Sequence, residues 1–400
     1  MANNENNLPN DVIYCKKCVI SNQRPSSTVE FKHERNERKQ TIGFDEYGIC
    51  DACNYHEKKE KNINWEKREL ALIELLDKHR REDGGYDVII PGSGGKDSAY
   101  TSHILKYKYG MNPLTVTWAP HKYTEIGWRN FENWIHTGGL DNILFTPNGK
   151  LHRYLTQQAF LNLLHPFQPF IIGQRIIGPA MAAKFGVQLV MYGENQAEYG
   201  NNTEENYIPT MDKKFFSVND PKEIKLGGKT VGEIMANEGY TINDFTPYIP
   251  PSAEYLERRG VEVHYLGYYL KWDPQECYYY ASEHTGFKAN TERTEGTYSK
   301  YSSIDDKIDM FHYYTTLIKF GIGRATYDAA QEIRNGKITR EEGVHLVRKY
   351  DMEFPNKYFK EFLSYINITE ECFFETVDRF RSNHLWENDA GEWRLKHTVA

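Results

Sequence analysis

The segment IIPGSGGKDSAY places a hydroxyl, two adjacent glycines, a lysine, an aspartate and a second hydroxyl in consecutive positions: Ser93, Gly94, Gly95, Lys96, Asp97 and Ser98. A strand entering such a run and a helix leaving it make a phosphate site. Glycines let backbone N–H groups approach phosphate oxygens, the helix N-terminus adds its positive end, and Lys96 with the Ser93 and Ser98 hydroxyls completes the cradle. An acidic side chain fits among phosphates only with Mg²⁺ between them, which assigns Asp97 to that ion. Two better-known loops are excluded. A Walker A loop needs glycine where Ile90 stands and Ser or Thr where Asp97 stands. A dinucleotide fingerprint opening at Gly92 needs its third glycine at Asp97.

The second chemical signal is a pair of C-x2-C motifs, Cys15 with Cys18 and Cys50 with Cys53. Two thiolate pairs on tight turns can direct four soft ligands to one tetrahedral Zn²⁺, and in a reducing compartment metal is favoured over disulfides. A full four-thiolate shell has no open position, so the zinc is expected to be structural. The remaining cysteines, Cys277 in QECYY and Cys372 in EECFF, form no pair and have no adjacent glycine.

Elements that hold these residues follow from periodicity. Helical spacing of Leu70, Ile73 and Leu76 predicts a connecting helix from Trp65 to about Arg81, stopped by Gly84 and Gly85. Then YDVIIP, PLTVTWAP, DNILFTP and VQLVMYG read as strands separated by helices near Ser98–Tyr109, Glu125–His136 and Gln174–Phe185. This βαβ alternation predicts an α/β fold whose parallel sheet is covered by helices on both faces. The Asn-, Glu-, Pro- and Gly-rich stretch of about 196–260 reads as an insertion beside the site. Beyond Asp305 helices dominate, and Thr339 with Glu342 forms a capping box. Three units are expected: residues 1–82 as zinc module and connecting helix, 83–304 as the α/β domain, and 305–400 as a helical region.

With 39% hydrophobic and 26% charged residues the 400-residue chain has the composition of a soluble protein, and no apolar run reaches membrane-spanning length. The polar start MANNENNLPND has no apolar core of an export signal, so a cytoplasmic location is expected. A net charge of -7 offers no general attraction to nucleic-acid backbones. The high tyrosine content has two readings, packing or stacking on sugar rings; tyrosines in 199–215 and 265–280 are the candidates for the second.

SGGKDS after a strand resembles the PP-loop of the ATP pyrophosphatases, which include GMP synthetase, asparagine synthetase and tRNA-modifying ligases. The resemblance covers roughly 83–200 and implies a Rossmann-like adenine-nucleotide hydrolase sheet that grips the pyrophosphate of ATP and leaves the α-phosphate open to attack. Across nearly the whole chain, the cysteine pairs, PGSGGKDS, LTVTWAPH, VMYGEN, YYLKWDP and GIGRATYDAAQEIRNGKITREEG make the sequence similar to N-acetyl sugar amidotransferases of the WbpG and PseA type. Those act in bacterial surface-polysaccharide and flagellin-sugar pathways.

The resemblance implies ATP, Mg²⁺ and Zn²⁺ as cofactors and an acetamido sugar as substrate. Its acetamido oxygen would be adenylated and replaced by ammonia. Thr117 and Trp118, ending a strand beside the loop, are then candidates for the adenine pocket. Gly193, Glu194 and Asn195 in VMYGEN stand at the carboxyl edge of the sheet, where open α/β sheets bind ligands. Lys271 and Arg324 are the candidates for neutralising departing pyrophosphate, and Asp305 and Asp306 for helping Asp97 hold Mg²⁺. The competing reading is a tRNA-thiolating PP-loop ligase, against which stand the acidic charge and the absence of a further cysteine pair. An amino-terminal-nucleophile glutaminase needs an exposed cysteine where Met1 and Ala2 stand, and neither Cys277 nor Cys372 sits on a glycine-flanked elbow. The resemblance therefore implies a separate glutaminase and an ammonia-conducting barrel subunit similar to those of histidine biosynthesis.

Overall fold

The computed structural model describes residues 8–33, 40–194, 198 and 208–400. The cysteine-bearing segment leads into helix α1 (Asp51–Lys61) and then α2 (Trp65–His79), which Asn64 caps by accepting from the Lys67 N–H at 2.9 Å. Leu72, Leu76 and His79 form the buried face of α2. Leu70 and Ile73, which helical spacing alone groups with Leu76, are exposed; the face that packs is the one turned toward the following domain.

The centre is one five-stranded sheet, and every pairing in it is parallel. Its strands are β1 (Val88–Pro91), β2 (Pro113–Trp118), β3 (Asp141–Phe145), β4 (Leu189–Tyr192) and, after two residue pairs β5 (Lys225–Leu226) and β6 (Lys229–Thr230) forming a separate small hairpin, β7 (Glu262–Tyr265). The spatial order is β3-β2-β1-β4-β7. The chain runs outward from β1 through β2 to β3 and then returns to the other side of β1. The β1/β4 boundary is thus the topological switch point, where open α/β sheets leave a crevice beyond their carboxyl ends.

Helices α3 (Lys96–Tyr107), α4 (Glu125–His136), α5 (Gly149–Leu163) and α6 (Gln168–Phe185) fill the crossovers. Apolar β1 and β2 are buried on both faces, as a helix-covered parallel sheet requires. Close approach of α6 depends on glycine: a Cβ on Gly173 would lie 2.2 Å from the Trp118 ring. The segment between β4 and β7 carries α7 (Val231–Glu238) and α8 (Ala253–Arg258), two helices its weak periodicity did not predict. After β7 come α9 (Leu266–Tyr269) and α10 (Pro274–His284), the latter packed against α3.

The C-terminal region contains α11 (Asp309–Phe320), α12 (Arg324–Arg334), α13 (Arg340–Tyr350), α14 (Phe359–Ile366) and α15 (Glu370–Phe380), with the Thr339–Glu342 capping box opening α13. It closes on an antiparallel hairpin of β8 (Trp386–Asp389) and β9 (Glu392–Leu395), which helical periodicity beyond Asp305 did not anticipate. Among the described residues no helix is long and apolar enough to cross a membrane.

Candidate active site

The phosphate loop leaves β1 at the switch point. The Gly92 N–H still bonds the Val116 carbonyl at 3.0 Å, and the chain then turns through Gly94, whose φ of 82° is open to glycine. A Cβ there would also sit 2.8 Å from the Phe131 Cα, so the loop is pressed against α4. Gly95 is the N-cap of α3 and supplies no side-chain cap; a Cβ added to it would meet only the Ser93 Oγ, at 3.6 Å. The first turn of α3 thus starts without a side-chain cap and lines an open cavity, the setting in which a helix N-terminus can take an anion. Ser98 does a different job from the one its type suggests. Its Oγ accepts from the Gly94 N–H at 3.2 Å and donates to the Gly95 carbonyl at 3.0 Å, which fixes the loop. Lys96 pairs with Asp97 at 2.5 Å, leaving the buried Asp97 Oδ1 without a partner.

A cavity of about 750 Å³ opens in front of this loop. Ser93, Gly95, Lys96, Asp97, Ser98, Trp118, Gly193, Glu194, Asp305 and Arg324 all line it, so most of the candidate residues converge. One side is apolar, with Val116, Ile171, Ile177 and Met211 beside the Trp118 ring, and suits a purine. Gly94 lines a smaller adjoining cavity together with Asp305 and Arg324. Asn195 lies outside the described residues, as do Tyr199 and Tyr207.

Three candidates stand elsewhere. Thr117 points to the opposite side of β2 from Val116 and Trp118, where its hydroxyl accepts from Asn142 at 3.0 Å, because strand side chains alternate. Lys271 is half-exposed and pairs with Glu60 at 2.7 Å. Asp306 is consumed by structure: His121 Nδ1 lies 2.7 Å from its carboxylate, and the His121 and Ile308 N–H groups donate to it at 2.8 and 2.9 Å. Adjacent positions thus divide the labour, Asp305 facing the cavity and Asp306 tying Asp305's loop to β2's end.

Much of the remaining wall comes from residues not singled out one by one in the sequence, although Tyr327, Asp328 and Lys337 lie inside the GIGRATYDAAQEIRNGKITREEG stretch. Arg24, Pro25, Ser26 and Ser27 arrive from the cysteine module, Arg175 from α6, and Asp309, Tyr313, Tyr327, Asp328 and Lys337 from the C-terminal region. Among the described residues the tyrosines at the cavity are Tyr192, Tyr265, Tyr301, Tyr313 and Tyr327, of which Tyr265 falls in the stretches singled out by sequence. Tyr268 instead stacks under Arg68, 3.5 Å from its ring centre.

The charges are held out of water. Burial, with Asp97 next, pushes the Glu194 carboxyl up to about 8, and burial raises Asp309 to about 7. Asp305 is raised by burial and by Asp306. Burial opposes the charge on Lys96, yet Asp97 and Glu194 hold its pKa above the ordinary value. Arg324 pairs with Asp328 at 3.0 Å and lies over the Tyr313 ring at 4.4 Å. Asp97, with its orphaned oxygen, Glu194 and Asp305 line the cavity as hard oxygen donors of the kind Mg²⁺ takes, but among the described residues their donor atoms do not converge into a preformed ion site, so a Mg²⁺ there would be held jointly with phosphate oxygens.

The four cysteines meet as their spacing predicts. Cys15 and Cys53 sulfurs are 3.9 Å apart, Cys18 and Cys50 3.7 Å, and all four lie within 4.8 Å of one another and are buried. A tetrahedral zinc with Zn–S bonds of about 2.3 Å requires sulfur separations of about 3.8 Å, so the donors fit the ion. The N–H groups of Lys17, Cys18 and Cys50 point at the Cys15 sulfur at 3.4 to 3.5 Å. This cluster does more than close its own module: it packs on Ala329, Ala330 and Val347 of α12 and α13, and Arg340 donates to the Cys15 and Cys18 carbonyls. Lys59 of α1, fully buried, reaches Glu198 at 2.9 Å and the Trp272 carbonyl at 2.9 Å.

The sheet order and the glycine loop at its switch point define an open α/β protein whose loop stands where such folds bind ligands. Residues 295–399 are similar to the family described as LPS biosynthesis protein WbpG-like, C-terminal domain. A curated relative, the uncharacterized protein MJ1599 of Methanocaldococcus jannaschii, is 36% identical over 78 residues; the match spans 20% of this chain and 27% of that protein. Among solved structures, an NH3-dependent NAD synthetase from Campylobacter jejuni aligns over 32% of this chain and 56% of its own, with 15% identity and a TM-score of 0.26. NMN synthetase from Francisella tularensis aligns over 75% of this chain and 96% of its own, with 13% identity and a TM-score of 0.31.

Proposed function

We propose that this protein is an ATP-dependent carbon–nitrogen ligase that adenylates the acetamido oxygen of an N-acetylated sugar and exchanges it for ammonia, giving an acetamidino sugar, AMP and pyrophosphate. One observation carries the reading: the uncapped N-terminus of α3, with Lys96 and Asp97, faces a cavity whose far wall is built by the WbpG-like domain. Surface-polysaccharide or flagellin-glycan synthesis is the corresponding setting.

An amide oxygen is a poor leaving group, so exchange for nitrogen needs activation. The purine packs on the Trp118 side, and the β- and γ-phosphates lie along the α3 N-terminus, which leaves the α-phosphorus toward Asp305 and Arg324. The acetamido oxygen attacks that phosphorus and pyrophosphate leaves. Lys96 and Arg324 offset the charge that grows on the leaving group, a fixed electrostatic contribution of the kind that dominates phosphoryl and acyl transfer. Mg²⁺, when bound, supplies Lewis-acid neutralisation of the phosphates. Ammonia then adds to the imidate carbon, loses a proton and expels AMP. Tyr301, Tyr313 and Tyr327 offer faces for the sugar ring.

Ammonia is proposed to come from a separate glutaminase through a barrel subunit. Supporting this, Cys277 is buried in the α3–α10 packing and Cys372 stands on α15, outside the cavity residues. The test is pyrophosphate release by the isolated chain given ATP, Mg²⁺ and a panel of acetamido sugars. Release is expected with ammonium and not with glutamine; release independent of any acetamido sugar would defeat the proposal.

A further inference from the structure

A second metal-ligating constellation lies apart from the phosphate loop and from the cysteine cluster. Glu30 opens the short 3-10 turn Glu30–Lys32 and His33 follows it, while His165 comes just after Leu164, the left-handed residue that ends α5. Glu30 Oε2 is 3.3 Å from His33 Nδ1, and the same carboxylate is 3.4 Å from His165 Nε2. The three donor atoms all lie within 4.8 Å of one another. Nitrogen and oxygen ligands about 2.0–2.1 Å from a tetrahedral ion stand about 3.3–3.4 Å apart, the separation seen from the carboxylate to each ring.

The three side chains are only 13%, 5% and 9% exposed, in the order Glu30, His33, His165. Their backbone is fixed as well. Gln168 Nε2 donates to the Glu30 carbonyl at 2.8 Å, and the His165 N–H donates to the Ala159 carbonyl at 3.0 Å. These residues line a cavity of about 190 Å³ together with Arg175, His312 and Lys319. His312 stacks on His165 with ring centres 5.1 Å apart, its Nδ1 is buried without a partner, and it also lines the main cavity. Two cations share this space and oppose a dication, but the Lys319 ammonium is turned to the Leu163 carbonyl at 2.9 Å.

We propose that Glu30, His33 and His165 bind a divalent transition-metal ion of the Zn²⁺ class, distinct from the four-cysteine zinc, with its remaining position open to the small cavity that His312 lines. Two imidazoles and one carboxylate select such an ion over Mg²⁺, and three protein ligands with one open position leave room for water or another small oxygen or nitrogen donor. The proposal is independent of the substrate assigned to the main cavity. Its ligands also join the module wall at Ser26 and Ser27 to the end of α5.

The test is metal analysis of the full chain after incubation with Zn²⁺ and removal of unbound ion. Wild-type protein is expected to retain about two zinc ions, one in each donor set, and the His33→Ala/His165→Ala double variant about one. Cobalt substitution assigns them: thiolate charge-transfer bands should persist in the double variant, while the weaker bands of a nitrogen–oxygen site disappear. Glu30→Gln, with a thermal unfolding control, should weaken the second ion and spare the first. Wild-type protein that retains only the thiolate-bound ion overturns the proposal even if the variants fail to fold, and so does a folded double variant that keeps both.

Discussion

Glu194 is the residue whose protonation the site controls most visibly. It stands with Lys96, Asp97, Glu198 and Arg324 around it, and burial holds its pKa near 8 against an ordinary 4.5. A carboxyl that keeps its proton longer in the native chain than in the unfolded one contributes stability that is full below pH 4.5 and drains away as pH rises through about 8. Asp309, raised to about 7, acts in the same direction. Nucleotide-free protein is therefore expected to lose thermal stability between pH 5 and 8, and Glu194→Gln to flatten that slope; melting curves across this range decide it. Lys96→Ala and Asp97→Ala should each lower turnover by about 10²- to 10³-fold, the usual loss of one electrostatic stabiliser, with melting temperature little changed. Pyrophosphate-release kinetics measure this. At this scale the glycine loop was legible in the sequence because its backbone and side-chain chemistry are contiguous. Arg24, Asp309 and Lys337 were not, since each reaches the cavity only through tertiary packing. Asp305 and Asp306 show the limit most directly: adjacent and chemically identical, they are told apart only by which way the chain turns.

Among the elements, the loop from β1 to α3 has the least tolerance. Gly94→Ala would force a left-handed residue and a contact of 2.8 Å with α4 backbone, so the loop must move and nucleotide binding should be lost. Isothermal titration with ATP would show it. Gly173→Ala, which sets a methyl 2.2 Å from Trp118, should cost about 1–3 kcal/mol by overpacking, readable in urea unfolding. The first four strands were legible because each is a short apolar run bounded by turns or helices. β7 was not: it is four residues long, carries Glu262 and His264, and pairs only because β4 offers an open edge. Helix α2 was found in the right place with part of its buried face misassigned, since Leu70 and Leu72 differ only in what lies opposite them.

In the whole molecule, the cysteine module, the sheet and the C-terminal helical region are bound to one another around a shared cavity. The module contributes Arg24–Ser27 to that cavity and seats its sulfur cluster on α12 and α13. Structural zinc contributes on the order of 10–16 kcal/mol in small peptides, comparable to the whole stability of a domain at about 5–15 kcal/mol. Cys50→Ser is thus expected to lower zinc content, expose the first 60 residues to proteolysis and weaken ATP binding, although none of the four clustered cysteines lines the cavity. The cysteine spacing announced the sulfur cluster, but nothing in it announced that the module also forms a wall of the cavity. The central claim is that ATP activates an acetamido oxygen, and tracing that oxygen tests it most directly. An N-acetylated sugar carrying heavy oxygen in its acetamido carbonyl is incubated with the protein, ATP, Mg²⁺ and ammonium, and the nucleotide product is examined by mass spectrometry. The account predicts AMP bearing the label on its phosphate; unlabelled AMP, or ADP in its place, would contradict it.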